Sequence, residues 1–236
     1  MNDELKNPLA ELEEALGYEF RNREILERAL RHGSSMASDL AGSYQRLEFL
    51  GDAVLGHAVA LMLFERFPGD DQGDLTRKRV HLVRSERLAE RASLLGLDGW
   101  IEVGVSVERS GGREASKLLE DAFEAVIGAI AIDGGWEDAR AFIERQLGDE
   151  ADGLDERTLA LANPKSALQE AAQASGLRLP EYRLVLEGGK DHERQWVYVV
   201  NWDGEEIARG EGRSKRGAQQ RAARRALVRL GLVPEK

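Results

Sequence analysis

The hydrophobic periodicity of this 236-residue chain changes once, at Asn163-Pro164, and that change constrains the fold more than any other feature. Before it, apolar residues recur at helical spacing and strand signals are nearly absent. After it, Tyr182, Leu184 and Leu186 recur at every second position, as do Trp196, Tyr198, Val200 and Trp202, with a shorter run near Glu206–Gly210. Gly188-Gly189 and Asp203-Gly204 supply turns between these runs. One helical pattern precedes them at Ser166–Ser175 and another follows at Ser214–Leu230. The expected fold is an all-α N-terminal domain, residues 5–148, a linker, residues 149–162, and a small α+β domain of order α-β-β-β-α, residues 163–232.

Within the first part, Pro8 opens an amphipathic stretch and Asn22 caps a second helix. A long apolar helix is expected from Gln45 to Phe67, stopped by Pro68-Gly69. One helix is expected over Asp74–Leu95 and two more over Ser116–Ile132 and Trp136–Leu147, with residues 97–115 irregular. The stretch around 148–162 is acidic and weakly patterned, which reads as a linker.

Charge follows the same division. The chain carries a net charge of -10, which by itself argues against a polyanionic partner. From Asn163 onward, however, 14 Lys and Arg face 10 Asp and Glu, a net of +4, which leaves -14 on the first part. An acidic half suits divalent cations and a basic half suits a polyanion. There are no cysteines, which excludes disulfides and thiolate metal sites. The acidic start lacks the apolar core of a secretory signal, and no apolar run reads as membrane-spanning. The expected location is the cytoplasm.

Two pairs of carboxylates interrupt apolar helices. Glu48 and Asp52 are four residues apart in the run Gln45–Leu55, and Asp121 and Glu124 are three apart in Glu120–Ala129. Each pair lies on one helix face, where like charges repel unless a cation sits between them. A pair of this kind is usually a solvated face. The apolar company on every side, and the helical glycines Gly51 and Gly128, point instead to two closely packed helices sharing an oxygen-rich pocket. Such donors suit Mg²⁺, with Mn²⁺ as the alternative, rather than zinc.

The run Gln45-Arg46-Leu47-Glu48-Phe49-Leu50-Gly51-Asp52-Ala53-Val54-Leu55 resembles the signature of the ribonuclease III family. Asp121–Gly128 resembles that family's second acidic motif, and Arg31–Ser35 the turn preceding its signature. The resemblance implies a Mg²⁺-dependent endonuclease that hydrolyses both strands of double-stranded RNA, leaving 5′-phosphate and 3′-hydroxyl ends. It implies Glu48, Asp121 and Glu124 as metal ligands, and Asp52 and Glu124 as the catalytic residues. It also implies a homodimer, with Phe49 packing across the two-fold interface rather than into the chain's own core. Gln45 and Gln72 stand where the family often has acids, which puts a second metal position in doubt.

Residues 163–232 resemble a double-stranded-RNA-binding domain through Asn163–Glu170, Leu179–Tyr182, Gly189–His192 and Ser214–Ala223. Lys215 and Arg216 open the last helix, where the backbone N–H groups and dipole already favour phosphate. Gln169 and Glu170 are expected to reach 2′-hydroxyls and base edges, and His192, in the first strand loop, the next minor groove. Such a domain spans ~16 base pairs and reads shape more than sequence. Arg224, Arg225 and Arg229 read as a solvated face.

His32, His57 and His81 show no metal-ligand spacing and read as structural. No P-loop or nucleophile elbow is present, so no small-molecule cofactor is expected. Two rival functions share these features: a catalytically dead duplex-binding dimer, and a helical Mg²⁺-dependent phosphohydrolase of small nucleotides. The intact carboxylates oppose the first and the basic domain opposes the second. The family's role in processing ribosomal RNA precursors, and some messenger and transfer RNA precursors, is the expected cellular task.

Overall fold

In the computed structural model, which describes residues 9–36, 42–109, 115–188 and 194–234, the chain divides after Gly153 into two units. The first is helical among the described residues: α1 (Ala10–Leu16), α2 (Arg23–Ala29), α3 (Gln45–Arg66), α4 (Gln72–Leu82), α5 (Ser85–Leu94), α6 (Val105–Arg109), α7 (Ser116–Asp133) and α8 (Trp136–Asp152).

Helix α7 is the centre of this unit. Every residue from Ala122 to Ile130 is buried, Phe123, Val126, Ile127 and Ile130 completely. Each such side chain contributes about 1.5–3 kcal/mol by leaving water. α3 lies along α7 with the two backbones in touch. A Cβ built on Gly51 would fall 1.8 Å from the Glu124 carbonyl oxygen, and one on Gly128 would fall 2.1 Å from that of Leu47. Only glycine permits this approach. α3 is long and apolar enough to cross a membrane by length and composition, contrary to the sequence expectation. It packs against α7, α4 and α8 within this unit.

The helix expected over Asp74–Leu95 is two. Arg84 is extended, with ψ 147°, and α5 starts anew after it. The break brings His81 of α4 and Arg87 and Arg91 of α5 around Glu150 of α8, at 3.5, 2.9 and 3.2 Å. Burial and the adjacent Arg84 hold the His81 pKa below its ordinary value. The bend thus gathers groups from two helices around one half-buried carboxylate, an arrangement that apolar spacing does not reveal.

The expected linker is helical on both sides of Gly153. α8 continues to Asp152, and α9 covers Glu156–Ala162. Asp155 caps α9 by accepting from the Thr158 N–H at 2.6 Å. Ala160 and Leu161 pack on the core of the second unit, which is why the acidic stretch is ordered there.

The second unit adds α10 (Pro164–Ala174), β1 (Glu181–Gly188), β2 (Gln195–Trp202), β3 (Glu205–Gly212) and α11 (Lys215–Arg229). The strands form an antiparallel sheet in the order β1-β2-β3. Asp203 and Gly204, with φ of 52° and 85°, make the two-residue turn of the second hairpin. Val200 and Trp202 of β2 pack with Leu168 and Ala172 of α10 and with Ala222, Ala223, Ala226 and Leu227 of α11. The fold is therefore the all-α plus α-β-β-β-α arrangement expected from the change of periodicity.

Candidate active site

Glu48 sits in the first turn of α3, and Asp121 and Glu124 sit one turn apart on α7. A ligand oxygen from each lies within 4.8 Å of the other two. Glu48 and Asp121 are half-buried and Glu124 is 8% exposed, so the three charges meet at the edge of the core rather than in bulk water. Asp52, one turn beyond Glu48, is exposed and lies outside this set of three.

Burial first, and then the Asp52 and Glu120 charges, push the Glu124 carboxyl up to about 8, with Lys117 opposing. Burial and the Asp121 charge likewise raise Glu48. Crowded, partly dehydrated carboxylates disfavour their own ionisation. Asp121 Oδ1 is buried, and its 2.7 Å contact with the Lys117 ammonium is a charge pairing without hydrogen-bond geometry. An all-oxygen set of three carboxylates, one with an oxygen still lacking a donor, fits a hard divalent cation.

This electrostatic state has a measurable consequence. Glu124 ionises near 4.5 when unperturbed and near 8 in the folded, metal-free chain. Between those values the folded state binds more protons than the unfolded state, so the site's contribution to stability falls as pH rises. In EDTA, Glu124→Gln should therefore gain in Tm over wild type as pH goes from about 5 to about 8. Mg²⁺ should raise the wild-type Tm most at the alkaline end. Calorimetry at several pH values checks both; a Tm difference that ignores pH would contradict this picture.

Several participants were not singled out from sequence. Lys117 contacts Glu120 at 3.4 Å as well as Asp121, and Ser85 Oγ donates to Glu120 Oε2 at 2.5 Å. The three- and four-residue spacing of Lys117 from these acids was the available signal. Tyr44, 2% exposed at the start of α3, has its phenol held well above the ordinary value by burial and by the nearby Asp121 and Glu48 charges, from a position that no periodicity marks. Gln45 and Gln72 begin α3 and α4, and both are exposed.

In the second unit, Gln169 and Glu170 are exposed on α10, and Lys215 and Arg216 are exposed in the first turn of α11. Ser214 caps that helix by accepting from the Gly217 N–H at 3.1 Å. The Lys215 ammonium lies 4.5 Å from the centre of the Trp196 ring, which steadies it without neutralising it. His192 lies outside the described residues. Arg225 and Arg229 are not simply solvated: they donate to the carbonyls of Arg209 at 2.9 Å and Ile207 at 2.6 Å on β3. Among the described residues that strand pairs only with β2, so its outward carbonyls need donors from elsewhere.

A family model described as ribonuclease-III-like matches residues 22–151, the span that holds all three clustered carboxylates. The chain belongs to the ribonuclease III family. The double-stranded RNA binding motif matches residues 164–230. Ribonuclease 3 of Azorhizobium caulinodans is 42% identical over 228 residues, covering 96% of each chain. Ribonuclease 3 of Chloroflexus aggregans is 43% identical over 226 residues, covering 93% of this chain and 96% of its own. Among solved structures, the nuclease domain of ribonuclease III from Campylobacter jejuni matches with a TM-score of 0.58 and 38% identity, over 63% of this chain and 99% of that one. A second structure of that domain, with a TM-score of 0.56 and 40% identity over 59% of this chain and 99% of that one, concerns flexibility in its region involved in dimer formation. Against the ribonuclease III framework, the first unit is the nuclease domain and the second is the duplex-binding domain.

Proposed function

We propose that this chain is a Mg²⁺-dependent endoribonuclease that cuts both strands of double-stranded RNA as a homodimer, with Mn²⁺ able to substitute. The observation that carries the reading is the cluster of Glu48, Asp121 and Glu124 in a chain that also holds a double-stranded RNA binding motif. Glu48, Asp121 and Glu124 would hold the cation, which when bound would acidify a water and offset charge on the scissile phosphate. Asp52, beside that set, takes up the proton that the attacking water releases. Glu124 both completes the ligand set and, by its burial, keeps the centre in an environment where charge interactions are strong.

The duplex-binding unit holds the substrate. Lys215 and Arg216 meet phosphate at the start of α11, and Gln169 and Glu170 meet the minor groove from α10; His192 extends the footprint from the first strand loop. The products carry 5′-phosphate and 3′-hydroxyl ends. The work suits the cytoplasm, on precursors of ribosomal RNA and some messenger and transfer RNAs. Sequencing both ends of every product from a defined duplex tests the chemistry. Cuts confined to one strand, or 5′-hydroxyl ends, would contradict it.

Assembly rests on Phe49. It is 79% exposed on α3, the helix whose other face packs on α7, and burial of that ring against a second copy would be favourable. A second copy covering it puts two cutting centres on one duplex. Sedimentation should give about twice the 26.2 kDa chain mass, and Phe49→Ala should shift the dimer toward monomer at micromolar concentration. A strictly monomeric, fully active wild type would refute the dimer.

A further inference from the structure

Lys117 stands in the first turn of α7, three residues before Glu120 and four before Asp121, so all three share one helix face. Its ammonium lies 2.7 Å from Asp121 Oδ1 and 3.4 Å from Glu120 Oε2. The two contacts differ in kind. Asp121 belongs to the carboxylate cluster with Glu48 and Glu124, whose ligand oxygens lie within 4.8 Å of one another. Glu120 lies outside that set and is held from α5, where Ser85 Oγ donates to the same Oε2 at 2.5 Å.

The Lys117 side chain is 68% exposed, whereas those of Glu120 and Asp121 are only 14% and 15% exposed. The ammonium thus reaches inward from solvent to carboxylates that have given up most of their water. A positive charge so placed offsets the repulsion among acids with no cation between them. It also stands against an oxygen of the cluster, and a divalent ion taking that oxygen would meet a like charge at contact distance. A lysine can withdraw, because its ammonium is a compact charge on a flexible four-carbon stem. Glu120, the neighbouring residue, gives it a second carboxylate on which to stay.

We propose that Lys117 is the resident counter-ion of the metal centre: its ammonium occupies Asp121 when no divalent cation is bound and retreats to Glu120 when one enters, so the cation must displace a built-in competitor. This rests on reading the Glu48, Asp121 and Glu124 cluster as a cation site. Two consequences follow from the geometry. The empty cluster stays assembled, because its charge is partly offset from within the same helix. The affinity for a divalent cation is also lower than three carboxylates alone would give, so Lys117 sets the cation concentration at which the centre fills.

The test is Lys117→Met in the full-length protein, which keeps an unbranched stem and removes the charge. Mn²⁺ binding is measured by titration calorimetry at about pH 8.5, because ligating carboxylates must be ionised. It should tighten about tenfold when the competing charge is gone. The Mg²⁺ concentration for half-maximal cleavage should fall by a similar factor. In EDTA the variant should melt below wild type, and Mg²⁺ should raise its Tm by more than it raises that of the wild type. Loss of a merely structural ion pair would lower both melting points alike. Lys117→Gln should repeat these results, and Lys117→Arg, which keeps the charge, should bind Mn²⁺ much as wild type does. Wild-type Mn²⁺ binding that requires Glu124 but is unchanged or weaker in Lys117→Met and Lys117→Gln would overturn the inference alone. Wild-type Mn²⁺ binding indifferent to Glu124→Gln would overturn the metal reading and the inference with it. Cleavage lost at saturating Mg²⁺ without tighter Mn²⁺ binding would make the ammonium a substrate contact and also overturn the assignment.

Discussion

Glu124→Gln should abolish RNA cleavage, by on the order of a thousandfold or more, and leave duplex binding almost untouched. Glutamine keeps the shape and one oxygen but removes the charge that completes the set with Glu48 and Asp121. It also removes the buried ionisation that the raised Glu124 pKa makes unfavourable in the metal-free chain. The variant should therefore be at least as stable as wild type in EDTA, so lost activity cannot be blamed on unfolding. Duplex affinity is expected to survive because the residues proposed to hold RNA lie in the other unit. The reverse signature is expected of Lys215→Ala combined with Arg216→Ala. That pair should bind duplex more weakly and with a flatter salt dependence, since each phosphate contact contributes to the slope. Its cutting at saturating RNA should be preserved. A gel shift and a cleavage assay on one RNA separate the two cases. Near wild-type cutting by Glu124→Gln would remove it from the site.

The second large effect is structural. Gly51→Ala should lower the Tm by roughly 10 °C and reduce cleavage with it. The new methyl would fall 1.8 Å from the Glu124 carbonyl oxygen and 2.6 Å from its carbon. Both are backbone atoms of α7, so no side-chain rotation relieves the overlap, and α3 and α7 must separate. That separation moves Glu48 away from Asp121 and Glu124, which is why activity should fall along with stability. Gly153→Ala is the comparison, because its Cβ would meet nothing closer than 3.6 Å. It should leave the Tm unchanged or slightly higher. Thermal melts of both variants check this; a Gly51→Ala protein that melts with wild type would mean the helices are not in backbone contact.

The parts of this architecture that sequence makes visible are those written in apolar spacing. α3 and α7 announce themselves through long apolar runs, and Gly51 and Gly128 point to close packing before any coordinate is known. The alternation of Trp196, Tyr198, Val200 and Trp202 marks β2 because those residues face the helices of the second unit. What stays hidden depends on partners far apart in the chain. The break at Arg84 answers to Glu150, 66 positions later, and apolar spacing through Leu82 and Leu88 runs on as if nothing happened. α9 looks like a linker because its burial comes from the second unit's core rather than from a stripe of its own. At the site, the carboxylates stand out as charges in apolar helices. Tyr44 does not, because a tyrosine in a Ser/Gly-rich stretch carries no periodic signal; only its burial near the Asp121 and Glu48 charges reveals it. Arg225 and Arg229 read as solvated because sequence cannot show that β3 ends the sheet beside them.

One chain is proposed to join a carboxylate-held cation to a duplex-holding unit in order to cut double-stranded RNA. The most direct measurement is incubation of the full-length protein with a long, perfectly paired RNA, with Mg²⁺ and separately with EDTA, alongside the same RNA as single strands. The duplex should be cut on both strands in Mg²⁺ and stay intact in EDTA, and the single strands should survive in either. Cutting that persists in EDTA, or that prefers single strands, would contradict it.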